Sequence, residues 1–140
     1  MSEPTGDATA GGQDGAAPSE PFDVFARNCP SRGALEHVTG RWGGLTLCAL
    51  AGGTLRFNEL RRRVDGISEK MLSRTLQALE RDGLVVREAR QAHPPHVEYR
   101  LSPLGEDTAR RLRALIDLVE GRMPDVLAAR GCYDRARGTG

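Results

Sequence analysis

The chain has 140 residues, a length that favours one domain. Hydrophobic residues make up 39% and aromatic residues 4%, which allows one modest core. The formal net charge of +1 argues neither for nor against nucleic acid. No apolar run approaches the roughly 18–20 residues that a membrane span needs. A basic segment followed by an apolar stretch is missing from the N-terminus, so no secretory signal is expected. Three widely spaced cysteines disfavour a disulfide-built scaffold and suit a reducing, cytoplasmic setting.

The charge is unevenly spread. Residues 1–20 hold Glu3, Asp7, Asp14 and Glu20 and no Lys or Arg, so the +1 of the whole leaves +5 on residues 21–140. That first segment is almost entirely Gly, Ala, Ser, Thr, Pro, Gln and acid. It cannot bury enough apolar surface to offset its chain entropy, and is expected to be a disordered acidic tail. A folded unit is expected over 21–130, with 131–140 as a flexible C-terminal tail. Lys70 is the only lysine. Arginine suits phosphates and guanine edges, but a GC-rich genome produces the same bias.

In chain order, Ser31 to Thr39 reads as a short helix with Ser31 as candidate N-cap. Trp42–Ala51 is a second, mostly apolar helix, expected to be buried nearly all round. Gly43 and Gly44 weaken its start by roughly 1 kcal/mol each relative to Ala. Thr54–Arg56 is long enough only for a stub of strand. Phe57–Val64 is a third helix with Phe57, Leu60 and Val64 inward, and Asp65-Gly66 is a turn signal. Ser68–Asp82 is the clearest helix, with an N-cap serine at its start and Gly83 where a C′ glycine belongs. At about 100° per residue, Met71, Leu72, Thr75, Leu76 and Leu79 share one side of it. Glu69, Lys70, Ser73, Arg74, Gln77 and Arg81 share the other.

Leu84–Arg90 and Val97–Leu101 read as strands of a hairpin. The prolines in its tip, Pro94 and Pro95, cannot continue a ladder. Ser102-Pro103 opens a last helix with an N-cap serine and a proline at its first position. Leu112, Leu115, Val119 and Met123 repeat along that helix at three-to-four spacing. Gly121 and Pro124 are expected to kink or break it, leaving a shorter piece to about Ala129.

Helix, helix, strand stub, helix, helix, two-stranded hairpin, helix is the order of a winged helix-turn-helix, mainly α with a small β wing. The helix after the Asp65-Gly66 turn then becomes the recognition helix. It would present Ser68, Lys70, Ser73 and Arg74 to base edges or phosphates of double-stranded DNA, with Gln77 one turn further along. Arg87, Arg90, His93 and His96 would serve the wing, against phosphate or the minor groove. Residues 56–74 carry six cations, Arg56, Arg61, Arg62, Arg63, Lys70 and Arg74, against three acids. A plain solvated face has the same pattern. A winged-helix protein-interaction module without DNA binding is the rival reading, and the basic excess argues against it.

Several blocks taken together resemble the HxlR-type winged-helix transcription regulators of bacteria. They run through Cys29-Pro30, Gly40-Arg41-Trp42, Leu55-Arg56-Phe57-Asn58-Glu59-Leu60-Arg61-Arg62 and Gly66-Ile67-Ser68-Glu69-Lys70-Met71-Leu72. They continue through Leu76, Leu79-Glu80, Asp82-Gly83-Leu84-Val85, Pro94-Pro95, Val97-Glu98-Tyr99 and Leu101-Ser102-Pro103-Leu104-Gly105. The match covers about residues 29–120. The resemblance implies a homodimer that binds pseudo-palindromic DNA and usually represses nearby genes. It also implies a dimer interface built by the first and last helices, here through Leu35, Leu112, Leu115 and Val119. Packing against the chain's own core is the other use of that last stripe. Two departures stand out. Gly43-Gly44 occupy positions where larger residues are more usual, and His96 follows the paired prolines where Arg is common.

In some members of that family a cysteine equivalent to Cys29 senses oxidants or electrophiles. Arg27, Arg32 and the start of the first helix would favour its thiolate. An inert, half-buried thiol is the other reading. Cys48 reads as core, and Cys132 as a tail thiol able to act as a resolving partner. The trigger is open between a thiol and a small-molecule effector seated between the dimer and DNA-binding parts. His93 and His96 bring two ligands where a structural zinc site wants four, so no metal or cofactor is expected. No phosphate-cradling glycine loop or nucleophile elbow is present in the sequence, and no enzymatic activity is expected.

Overall fold

The computed structural model describes residues 21–139, and the acidic segment 1–20 lies outside them. The chain divides into two units, one ending at Leu35 and one beginning at Glu36. In the first, the Phe25 N–H donates to Asp23 Oδ1 (2.9 Å) and the Arg32 guanidinium donates to the Phe25 carbonyl (3.1 Å). Helix α1 spans Pro30–Thr39. Ser31 therefore lies inside the helix and is not its N-cap. Proline takes the first position because its missing N–H would have had no partner there, and its fixed φ is already helical.

The second unit runs α2 (Gly43–Leu50), β1 (Leu55–Arg56), α3 (Phe57–Arg63), α4 (Glu69–Arg81), β2 (Val85–Arg90), β3 (His96–Leu101), α5 (Pro103–Gly121) and α6 (Met123–Thr139). This is the winged helix-turn-helix order, mainly α with a small sheet. The sheet is antiparallel with β3 in the centre, flanked by β1 and β2. The stub read at 54–56 thus becomes an edge strand, with Leu55 opposite Tyr99 and Arg56 opposite Glu98.

The core is one cluster. Leu47 and Leu50 from α2 meet Leu60 from α3, Leu72, Leu76 and Leu79 from α4, and Val85, Tyr99 and Leu101 from the sheet. Leu72, Leu76 and Leu79 fall on one side of α4, as the sequence spacing requires. Met71 departs from that expectation. It is 37% exposed and lines a shallow hollow with Trp42 and Thr75. Its position at the edge of the apolar arc explains the difference.

Gly43 has a structural reason to lack a side chain. A Cβ there would stand 1.7 Å from the His37 carbonyl oxygen. The end of α1 and the start of α2 approach too closely for any other residue. The departure noted in the sequence is therefore a packing requirement, which outweighs the loss of helix propensity. The His37 side chain lies in the same corner, and its Nδ1 is 2.6 Å from Asp82 Oδ2 at the C-cap of α4. That contact joins the end of α1 to the end of α4.

The break between α5 and α6 falls at Arg122, between Gly121 and Pro124, as read. The C-terminal end differs from expectation. Helix α6 does not stop near Ala129 but continues through Gly131 to Thr139. Local side-chain contacts line this stretch. Arg122 bonds Asp125 (2.6 Å), Arg135 bonds Cys132 (3.4 Å), and the Arg137 guanidinium lies 5.7 Å from the centre of the Tyr133 ring. Contacts three and four residues apart of this kind support a helix whose apolar residues show no strong periodicity.

Candidate nucleic-acid interface

The helix-turn-helix is built from α3, the turn at 64–68 and α4. The Arg56 N–H donates to Glu59 Oε1 (2.7 Å) and so satisfies an orphan donor at the start of α3. Gly66 has φ +91°, a left-handed conformation that suits glycine and turns the chain back toward α4. Ser68 then caps α4, its Oγ accepting from the Met71 N–H (3.0 Å). The hydroxyl proton is left to donate elsewhere.

The exposed side of α4 carries the residues the sequence selected. Lys70, Arg74, Gln77 and Arg81 recur at spacings of four, three and four, which places them within about 60° of arc. Lys70, Arg74 and Gln77 are exposed and Ser73 is half-buried. Arg62 and Arg56 are exposed beside them on α3 and at the end of β1. Among the described residues, no ion pair or hydrogen bond engages the charged ends of Arg62, Lys70 or Arg74. Arg61 differs, because its Nη1 is 3.0 Å from Glu69 Oε2. That pair offsets one cation near the start of α4.

Beside α4 lies a groove of about 360 Å³, lined by Ser73, Gln77 and Glu80 on the helix and by Arg87 and Tyr99 on the sheet. Arg87 stands opposite Tyr99 in the ladder, on the face that turns toward α4. It is exposed and is the wing cation nearest the stripe by register.

The other face of the wing is a ladder of matched charges. Arg90 Nε is 3.0 Å from Glu98 Oε1 and its Nη2 is 3.2 Å from Glu88 Oε1. Arg100 reaches Glu88 at 3.4 Å. His96 places Nε2 at 2.9 Å from Glu98 Oε2 and Nδ1 at 3.1 Å from the Pro94 carbonyl. The hydrogen bonds from His96 and Arg90 hold the Glu98 carboxyl below the ordinary carboxylate range, and Glu98 and Glu88 raise Arg90 in turn. A lowered carboxyl stabilises the fold above its ordinary range and loses that contribution as pH falls through the lowered value. Arg90 and His96, both expected to face nucleic acid, are thus bound to carboxylates. Sequence reading missed this because Glu88 and Glu98 meet only once the register of the hairpin is known.

Cys29 lies just ahead of α1 and is partly exposed. Its Sγ is 3.2 Å from Ser31 Oγ and accepts from the Asp23 N–H at 3.4 Å. The Ser31 hydroxyl, then the Asp23 N–H, then the Ser31 N–H lower the thiol from its ordinary value, against desolvation and then the Asp23 charge. Hydrogen bonds favour the thiolate here, in place of the charges of Arg27 and Arg32 suggested by sequence. Cys48 is the opposite case, since burial pushes its thiol up.

The residues read as a dimer surface are placed on two helices. Leu35 on α1 is 46% exposed, and Leu115 and Val119 on α5 are 54% and 47% exposed, with Leu118 beside them. Leu112 instead packs against the core. Among the described residues, no group of three or more His, Cys, Asp or Glu side chains is placed to hold a metal ion. Among the same residues, no helix is long and apolar enough to cross a membrane.

This arrangement of elements defines a winged helix-turn-helix protein of the kind that regulates transcription. The family model of the HxlR-like helix-turn-helix matches residues 37–126, and the chain belongs to that family. It is 55% identical over 108 residues to the uncharacterized HTH-type transcriptional regulator YtfH of Escherichia coli (strain K12), covering 77% of this chain and 86% of that one. The solved structure of a ytfH transcriptional regulator from Salmonella typhimurium is 52% identical, with a TM-score of 0.74 over 79% of this chain and 99% of that one. The redox regulator HypR in its reduced form is 34% identical, with a TM-score of 0.63 over 71% of this chain and 98% of that one. The chain is a transcriptional regulator with a helix-turn-helix domain.

Proposed function

We propose that the protein is a repressor that binds a pseudo-palindromic operator as a homodimer. The observation that carries this reading is the exposed stripe of Lys70, Arg74 and Gln77 on the helix after the turn, with no carboxylate among the described residues occupying its cations. Ser68 and Ser73 add hydroxyls at the same end, and Arg56 and Arg62 add charge for phosphate. On the wing, Arg87 is the cation ready to bind. Arg90 and His96 reach a phosphate only by leaving Glu98. The exposed apolar residues Leu115, Leu118 and Val119 support a second copy as partner. Two copies would set recognition helices in successive major grooves, about 34–36 Å apart or a multiple of it.

The test is to incubate the reduced protein with fragmented genomic DNA and sequence what it retains, with and without diamide. Enrichment of an inverted repeat is the expected result. Its absence from a folded dimer would favour the protein-interaction module instead. A reporter gene placed downstream of that repeat checks the sign of regulation, with lower output expected when the protein is present.

We assign the thiol response to Cys29, whose hydrogen bonds favour the reactive thiolate. In this reading diamide accepts two electrons and two protons as Cys29 and a second thiol join in an S–S bond. Cys29→Ser is expected to keep DNA binding and to lose its sensitivity to diamide. Retained sensitivity in that variant, read by gel shift and by non-reducing electrophoresis, would remove Cys29 from the mechanism.

A further inference from the structure

Between the end of α2, the end of β3 and the first turns of α5 lies a cleft of about 500 Å³. Its size falls within the range of small-ligand sites, roughly 300–1,000 Å³. Leu50, Leu101 and Ala109 form an apolar floor, and all three are buried. Arg100 from β3 and Arg110 and Arg113 from α5 line its sides.

The charge of this cleft is unbalanced in a specific way. Each arginine has an acidic neighbour: Arg100 bonds Glu88 at 3.4 Å, Arg110 bonds Asp107, and Arg113 bonds Asp117 at 3.2 Å. None of those three acids lines the cleft. Among the described residues, Glu106 is the one carboxylate that lines the cleft. Three guanidiniums therefore border an apolar floor against a single acid. The ion pairs that hold them are exposed, and exposed pairs are weak and easily exchanged for another anion.

Helical spacing explains why the arginines are gathered. Glu106, Ala109, Arg110 and Arg113 fall within roughly 100° of arc on α5, and Leu115, Leu118 and Val119 fall on the opposite side. One helix thus presents a cationic face to the cleft and an apolar face to solvent. A guanidinium takes a carboxylate in two parallel hydrogen bonds, and the floor suits a ring or short chain beside it.

We infer that this cleft binds a small organic carboxylate with an apolar body. Its use as a trigger for DNA release rests on the operator-binding reading above, whereas binding itself does not. The probes are benzoate, its neutral counterpart benzamide, and inorganic phosphate, each added to the full chain at constant ionic strength. Titration calorimetry up to about 10 mM ligand covers the affinity range of so small a molecule. Benzoate is expected to bind at one site per chain and to raise Tm, with benzamide and phosphate both at least tenfold weaker. The double variant Arg110→Gln, Arg113→Gln is expected to bind benzoate at least tenfold more weakly. Arg130→Gln, on α6 and outside the cleft, is expected to bind as the parent does. Equal binding of benzamide would overturn the need for an anion, and equal binding of phosphate would overturn the role of the floor. Absence of benzoate binding, or unchanged binding in the double variant, would overturn the site. None of these measurements contains DNA, so their failure leaves operator binding standing.

Discussion

The double variant Lys70→Ala, Arg74→Ala is expected to lose operator binding by on the order of a hundredfold, from about 1–3 kcal/mol at each position. Both side chains stand on the exposed side of α4, one turn apart, and among the described residues neither has a carboxylate to leave before it meets DNA. The single variants separate the two ways such a residue acts. If Arg74 reads a guanine, its loss relaxes one position of the operator. If it grips phosphate, binding falls evenly across sequences and the salt slope shrinks by about one unit. Titration of operator and scrambled duplexes at several salt concentrations distinguishes them. Unchanged affinity in both single variants would overturn the assignment of this face of α4. The fold should be untouched, because both residues are exposed.

Leu72→Ala is expected to destabilise the fold by about 2–5 kcal/mol. Leu72 is fully buried and lies one turn into α4, within the cluster that joins α2, α3 and the sheet. Truncation removes apolar contact and leaves a cavity that α4 can fill only by moving. Leu72→Met nearly conserves volume and is expected to cost less than about 1.5 kcal/mol. Urea denaturation at fixed protein concentration checks both, through a lower midpoint at unchanged slope. A loss below about 1 kcal/mol in the alanine variant would show that this end of α4 is held by something other than the core.

Local signals made most of this fold legible. Ser68 and Ser102 cap the helices they were expected to cap, because a capping hydroxyl acts within three residues of itself. The alternation of Val97, Tyr99 and Leu101 located β3, because one face of that strand is buried. The α4 stripe was legible for the same reason, since helical period and burial are both local properties. What the sequence hid depends on distant partners. β1 has two residues, too short for any period, and exists because it pairs with β3 some forty positions later. Gly43 read as a weakness of α2 until its closeness to the His37 carbonyl was known. The extent of α6 was hidden by Gly131, whose propensity argues for an end that neighbouring side-chain contacts override.

The charge ladder on the wing has a thermodynamic consequence. A duplex carries a condensed atmosphere of cations, and protein binding gains entropy as those ions are displaced. A side chain contributes to that gain only by bringing charge that is not already compensated. Under the proposed operator binding, Arg90, Arg100 and His96 would arrive with Glu88 and Glu98 attached, which leaves Arg87 as the wing side chain expected to displace ions. On that reading the hairpin is expected to act mainly as a spacer of fixed shape, with ionic strength tuning affinity chiefly through α4 and Arg87.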